Sequence, residues 1–275
     1  LKAIESKCHC RYVADRVSVP VNPGTLDPIQ DVEAIKVFVQ QHGLPIFLKL
    51  DRGGGGKGIE IVREAGQMAE VFERVSRIGL AAFNSSECYI EKVLERPRHI
   101  EVQFLNDDLG NCICLGEREC SVQRRHQKII EESPPVVVTE EDRELLFEYT
   151  RRLARAMSYR GAGTMEFLCS EAGKYYFMEI NARLQVEHPV SEMTTGVDIV
   201  KRQLEIAAGE TLSFNQNEIN MQGSAIEARV YAEDPVTFQP SPGKLTALSV
   251  PPNAESLRID HALEVGGTIP PFYDP

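Results

Sequence analysis

The feature that most constrains this chain is a pair of apolar strand sequences, Gly163–Cys169 and Lys174–Asn181, joined by Ser170-Glu171-Ala172-Gly173. The four-residue connection suits a tight hairpin. Side chains alternate faces along a strand, so Glu179 and Asn181 point the same way, and Glu166 has the same setting between Thr164 and Leu168. A hairpin that sets Glu166 beside Glu179 brings two carboxylates together, and these repel unless a cation lies between them. Carboxylates and an amide oxygen are hard ligands, suited to Mg²⁺ or Mn²⁺, and such ions often complete their shells with substrate phosphates. Exposure to solvent is the competing explanation for any single glutamate. If the chain stays extended, the same parity carries through Arg183, Gln185 and Glu187. That row holds a cation, an amide and a carboxylate, able to bind a small oxyanion with Arg183 and deprotonate it with Glu187. An ordinary Arg183–Glu187 salt bridge across a turn fits the spacing equally well.

A second constraint is Asp51-Arg52-Gly53-Gly54-Gly55-Gly56-Lys57-Gly58, between an apolar strand at Pro45–Leu50 that bears Lys49 and another at Ile59–Val62. Its exposed backbone N–H groups suit a flap over polyphosphate oxygens. It departs from the P-loop, because Gly58 follows Lys57 and a strand follows the loop. It departs equally from the dinucleotide fingerprint, which needs strand–turn–helix context. The segment Glu117–Lys128 is dense in donors yet flanked by apolar Cys112–Leu115 and Ile129-Ile130. A solvated charged face is the usual explanation for such density, and a cation cluster at a buried edge facing phosphate or bicarbonate is the sharper alternative.

Around these motifs, helices are expected over Asp31–Gln41, with Gly43 as stop, over a segment whose Met68, Val71, Phe72 and Val75 share one face, over Thr139–Met157, and over Val197–Ala208. Thr139 is the expected N-cap of the third, with Glu140, Glu141 and Asp142 in its first turn. Glu87–Leu94 and His99–Leu105 read as strands, Ser213–Gln222 as a linker, and the chain from Ala225 as short strands and Pro-rich turns. The class is α+β.

Composition excludes several roles. A net charge of −11 over 275 residues argues against general nucleic-acid binding, which needs a basic surface. No apolar run is long enough to span a membrane. The seven cysteines are odd in number, and Cys8-His9-Cys10 and Cys112-Ile113-Cys114 are spaced too closely for ordinary zinc sites, so reduced thiols in a cytoplasmic interior, or a mitochondrial matrix in a eukaryote, are expected. Leu1–Lys7 shows neither an initiator Met nor an apolar signal core and reads as a cut within a longer protein.

Taken in order, Lys49 with Gly53–Gly58, Glu91-Lys92-Val93-Leu94, Pro97-Arg98-His99-Ile100-Glu101, Glu117–Lys128, Gly161-Ala162-Gly163-Thr164, Glu179–Pro189 and Glu227-Ala228-Arg229 resemble the biotin carboxylase family of ATP-grasp ligases. The resemblance spans nearly the whole chain. It implies an ATP-grasp fold, two α+β subdomains sandwiching ATP. The expected parts are a remnant of an N-terminal domain or linker (1–24), a lid subdomain (25–93), a large subdomain (94–221) and the start of the family's C-terminal domain (222–275).

The family's chemistry is ATP-dependent carboxylation of biotin by bicarbonate through carboxyphosphate. By resemblance, Lys49 contacts ATP phosphates, and Gly54, Gly55, Gly56 and Gly58 belong to the closing lid. Glu91, Lys92 and Leu94 sit at the adenine; His99, Gln123 and His126 lie near ribose and phosphates. Glu166, Glu179 and Asn181 hold the Mg²⁺ or Mn²⁺ ions, and Lys128, Arg183, Gln185 and Val186 bind bicarbonate. Glu187 is the base, and Arg229 stabilises the biotin enolate. The implied partners are a biotin carboxyl carrier and a carboxyltransferase, in a homo-oligomer when full length. Alignment on Ile4–Lys7 puts Ala3, next to Lys2, where members carry an ATP-binding lysine. Two other readings are a nucleotide-binding fragment that does not catalyse, and an ATP-grasp ligase with another acceptor, as in carbamoyl-phosphate synthesis.

Overall fold

Alternation along one strand, Arg98–Asn106, explains the layering of the molecule: Ile100, Val102 and Phe104 point into an apolar core, while His99, Glu101 and Gln103 point to the opposite face. Both sets are buried, so the strand is covered on both sides. The computed structural model describes residues 4–53, 58–125, 127–252, 254 and 256–270. Helices are α1 (Lys7–Arg16), α2 (Val32–His42), α3 (Met68–Phe83), α4 (Glu140–Ala156), α5 (His188–Thr195) and α6 (Ile199–Ala207). Strands are β1 (Ile46–Leu50), β2 (Ile59–Val62), β3 (Cys88–Lys92), β4 (Arg98–Asn106), β5 (Cys112–Arg124), β6 (Gln127–Ser133), β7 (Gly161–Cys169), β8 (Tyr175–Asn181), β9 (Ala225–Ala228), β10 (Gly243–Lys244) and β11 (Thr268–Ile269).

Two compact units result, Leu1–Ala228 and Arg229–Pro275. The first contains a six-stranded antiparallel sheet in the order β8-β7-β4-β5-β6-β9. One of its faces packs Ile100, Val102, Phe104, Met165, Phe167 and Phe177 against α4 and α1. The other face is divided. Leu105, Ile113, Leu115 and Ala162 form an apolar patch under α6, and beyond it the same face turns polar, flanked by α5. A second sheet, β2-β1-β3, carries its own core of Ile46, Leu48, Leu50 and Ile90 with Ile35, Phe38, Val71 and Val75 from α2 and α3. In the second unit β10 and β11 pair antiparallel.

Local sequence accounts for much of this. Asp31 caps α2 by accepting from Ala34 N at 3.0 Å. Thr139 and Asp142 form a reciprocal capping box at α4, which satisfies two of the orphan donors of a helix start. Among the described residues no helix is long and apolar enough to cross a membrane.

Two elements differ from sequence expectation. Lys7–Arg16 is helical, with Ser6 as N-cap accepting from His9 N at 3.0 Å. The chain after Asn181 does not stay extended: β8 ends there, Glu187 becomes the N-cap of α5, and Pro189 lies in its first turn. Proline is pre-organised for that position, so the alternation of Arg183, Gln185 and Glu187 is broken by a turn.

Candidate functional site

The polar face of the large sheet is assembled by register. Glu101 pairs with both Arg118 and Glu166, and Glu166 pairs with Glu179, so four strands deliver one row of charges. Arg118, fully buried, is its base. Its guanidinium donates to Glu101 at 2.7 Å, Gln103 at 2.8 Å, Ser191 and Gln185 at 3.0 Å, and Thr164 at 3.2 Å. A planar fork of five N–H donors suits this role where a lysine does not.

Above Arg118, Lys128 Nζ lies 2.6 Å from Glu101, 2.6 Å from Glu187 and 3.3 Å from Glu166. Lys128 is held well above its usual value: burial opposes the charge, but the carboxylates around it outweigh burial. Burial would likewise raise Glu101, yet Lys128 and Arg118 hold it down at about 2. Glu166 is lowered by Lys128 and His99, again against burial. His99 Nε2 lies 2.8 Å from Glu166. Burial alone would push His99 down, and the adjacent carboxylate reverses this and raises it. Gln123 Nε2 is 2.8 Å from His99 Nδ1, which orients the ring. Asn181 and Gln185 donate to Glu166 Oε1 at 2.7 and 3.1 Å.

The structure thus brings together Lys128, Glu166, Glu187, Gln185, Asn181, His99 and Gln123, with Glu179 in register beside them. It does not bring Arg183 to Glu187: Arg183 is exposed and donates to the carbonyl of Leu184 at 3.2 Å. Val186 is half exposed. Lys49 and Glu91 form an ion pair on the small sheet, where Lys92 and Leu94 are half-buried. Gly58 has φ +74°, and an added Cβ would lie 2.2 Å from Leu50 Cδ1, so only glycine fits there. Arg229 is the first residue of the second unit. Gly54, Gly55, Gly56, His126, Lys2 and Ala3 lie outside the described residues. The lysine of the N-terminal segment that the fold delivers here is Lys7, which ion-pairs with Glu179.

Sequence reasoning assigned no role to Lys7, Arg11 or Glu101, and counted Arg118 only as one donor within Glu117–Lys128. The available signal was a charge inside an alternating apolar strand, Glu101 between Ile100 and Val102. For a hard cation, the fit rests on Glu166 and Glu179 in register with Asn181 beside Glu166, where Lys7 and Lys128 neutralise carboxylates that a divalent ion would also satisfy. The ligand atoms that lie within 4.8 Å of one another are those of a different set, His99, Glu101 and Glu166, two carboxylates and an imidazole.

A six-stranded sheet bearing carboxylates and cations, with a three-stranded sheet whose β1 and β2 flank the glycine-rich sequence, is an ATP-grasp fold. A family model described as carbamoyl-phosphate synthase L chain, ATP binding domain, matches residues 6–215, and one described as biotin carboxylase C-terminal domain matches residues 227–275. The chain belongs to the biotin carboxylase family. It is 45% identical to biotin carboxylase 2 of Bacillus subtilis over 98% of its own length and 61% of that protein's. The biotin carboxylase domain dimer of Hydrogenobacter thermophilus 2-oxoglutarate carboxylase, solved with MgADP, ADP and bicarbonate, superposes with a TM-score of 0.95 at 43% identity, covering 99% of this chain and 60% of that one. Campylobacter jejuni biotin carboxylase in its β-γ-ATP complex gives 0.95 at 40% identity, over 99% and 61%. The chain therefore spans about three fifths of the length of each of these relatives.

Proposed function

We propose that this chain is the catalytic body of a biotin carboxylase, carrying out ATP-dependent carboxylation of carrier-bound biotin with bicarbonate. The observation that carries the reading is the buried Lys128 ammonium shared by Glu101, Glu166 and Glu187. A cation held among carboxylates and amides suits a small oxyanion placed next to a base.

In this reading Lys128, Arg183, Gln185 and Val186 hold bicarbonate, Arg183 swinging in from solvent. Glu187 takes the bicarbonate proton; the freed oxygen bonds to the γ-phosphorus of ATP, ADP leaves, and carboxyphosphate results. Carboxyphosphate breaks into CO₂ and phosphate, the phosphate takes the N1 proton of biotin, and the resulting enolate, stabilised by Arg229, captures the CO₂ at N1. Lys49 and Lys7 face the nucleotide phosphates, the loop Gly54–Gly58 covers them, and His99, Gln123 and His126 lie at ribose and phosphates. Glu91, Lys92 and Leu94 meet the adenine. Glu166 and Glu179, with Asn181, would hold Mg²⁺ or Mn²⁺, which supplies neutralisation of charge on the transferring phosphoryl group. The lid of residues 25–93 excludes water from an intermediate that water destroys. The partners are a biotin carboxyl carrier and a carboxyltransferase, in a cytoplasmic or mitochondrial homo-oligomer.

Steady-state ATP hydrolysis by the full-length protein tests this. The expected rate depends on bicarbonate and rises with biotin. Mg-ATP binding without turnover would favour a non-catalytic nucleotide-binding role, and a biotin-independent carbamoyl product would favour the other ligase.

A further inference from the structure

Glu91 is a buried carboxylate held by two cations of different mobility. Its Oε1 is paired with Arg11 and its Oε2 with Lys49. Arg11, on α1, is fully buried and cannot leave: Nη2 donates to the carbonyl of Asn22 at 2.7 Å, Nε donates to that of Thr25 at 3.3 Å, and the guanidinium lies 5.8 Å from the Tyr89 ring centroid. Lys49 is different. Its ammonium sits on a flexible four-carbon stem, 12% exposed, near the end of β1 that leads into the glycine loop. Among the described residues its ammonium meets Glu91 and, at 5.1 Å, the Phe47 ring.

We propose that Arg11 is a positioning residue that makes Lys49 transferable. By keeping Glu91 neutralised from the far side, it frees the Lys49 ammonium to move from the carboxylate to the polyphosphate of a nucleoside triphosphate. The inference rests on the nucleotide reading given above. Its physical basis is the asymmetry of buried charge pairs: removing one partner leaves a bare buried charge at high cost, whereas a carboxylate that retains a second cation does not suffer this. Glu91 is lowered, against burial, by Lys49 and Arg11 together, and Arg11 keeps it ionised and satisfied after Lys49 departs. In a chain without Arg11, Lys49 is the one cation left in contact with Glu91 among the described residues, with Lys7 acting on it only at a distance, and Lys49 stays tethered.

The test is calorimetric titration of the full-length protein with Mg-ATP in the absence of bicarbonate. Arg11→Met is expected to weaken Kd by about tenfold or more, with the KM for bicarbonate within about twofold of wild type. Arg11→Lys, which keeps a cation beside Glu91, is expected to lose less. In a Lys49→Met background, Arg11→Met is expected to change Kd by less than about twofold, because Arg11 acts through Lys49. A purely structural Arg11 predicts the same loss in both backgrounds. If Arg11→Met does not fold, Arg11→Lys in the two backgrounds decides, its loss being confined to the chain that keeps Lys49. Unchanged Kd in Arg11→Met, or an equal loss with and without Lys49, overturns the proposal while leaving the nucleotide reading intact. Absence of Mg-ATP binding by the wild-type protein overturns both.

Discussion

Lys128 and Glu187 meet at 2.6 Å although 59 residues separate them in sequence. Lys128 reaches this point from the start of β6, and Glu187 from the turn that caps α5, so the contact exists only when the sheet and that helix are both in place. The same ammonium satisfies Glu101 and Glu166. This contact couples folding, charge balance and the proposed chemistry.

Removing that ammonium has a pH signature. Glu101 is held at about 2 against an ordinary 4.5. A depressed folded-state value contributes stability that is complete above the unfolded value and disappears as pH falls through the folded one. Wild-type stability is therefore expected to decline between about pH 4.5 and 2. In Lys128→Met the Glu101 value rises toward normal and this acid slope becomes shallower, while turnover falls by about 100-fold or more. Urea titrations at a series of pH values check the slope; an unchanged slope contradicts the pairing.

Arg118 has a structural role first. Arg118→Met leaves Glu101 buried with one cation fewer and four neutral groups without a donor, and is expected to cost about 3–5 kcal/mol. Arg118→Lys recovers only part of this, because one ammonium cannot span five partners on β4, β7, α5 and the preceding turn. Chemical denaturation midpoints measure both, and equal stability of Lys and Arg at this position would contradict the network.

Thr139→Ala serves as a control remote from the charges. Loss of the α4 cap is expected to cost about 1 kcal/mol with bicarbonate-dependent turnover unchanged. A denaturation midpoint and a turnover assay on the same preparation suffice.

Gly24 packs where an added Cβ would lie 2.4 Å from the Ile90 carbonyl oxygen and 2.6 Å from Arg11 Nη2. Gly24→Ala is expected to destabilise by about 1–3 kcal/mol through backbone displacement and to weaken Mg-ATP binding by disturbing Arg11. Calorimetry on the folded fraction separates the two effects.

The helix α4 was legible because its signals are local: a capping Thr139, acids in the first turn and apolar residues at helical spacing. The hairpin was legible for the same reason, and β7 and β8 indeed pair Glu166 with Glu179. Helix α1 was not, because its buried face is made of Cys8, Cys10, Arg11 and Ala14, and a buried arginine erases the apolar periodicity. Arg11 is explained only by Glu91, 80 residues later. Arg118 was read as one donor among many, since its acceptors lie 15 to 73 residues away. The row Arg183–Glu187 left an extended chain and a turn equally open, because parity cannot show where a strand ends. Pro189 was the local sign that a helix was about to begin.

The most direct test is transfer of label from [14C]bicarbonate to free biotin by the full-length protein with Mg-ATP, comparing wild type with Glu187→Gln. Glu187 is buried against Lys128 and is the proposed base. The account predicts ATP-dependent carboxybiotin formation by the wild type and a loss of about 100-fold or more in the variant, with Mg-ATP affinity retained. Full activity in Glu187→Gln would contradict the assignment of the base, and no labelled biotin from the wild type would contradict the function itself.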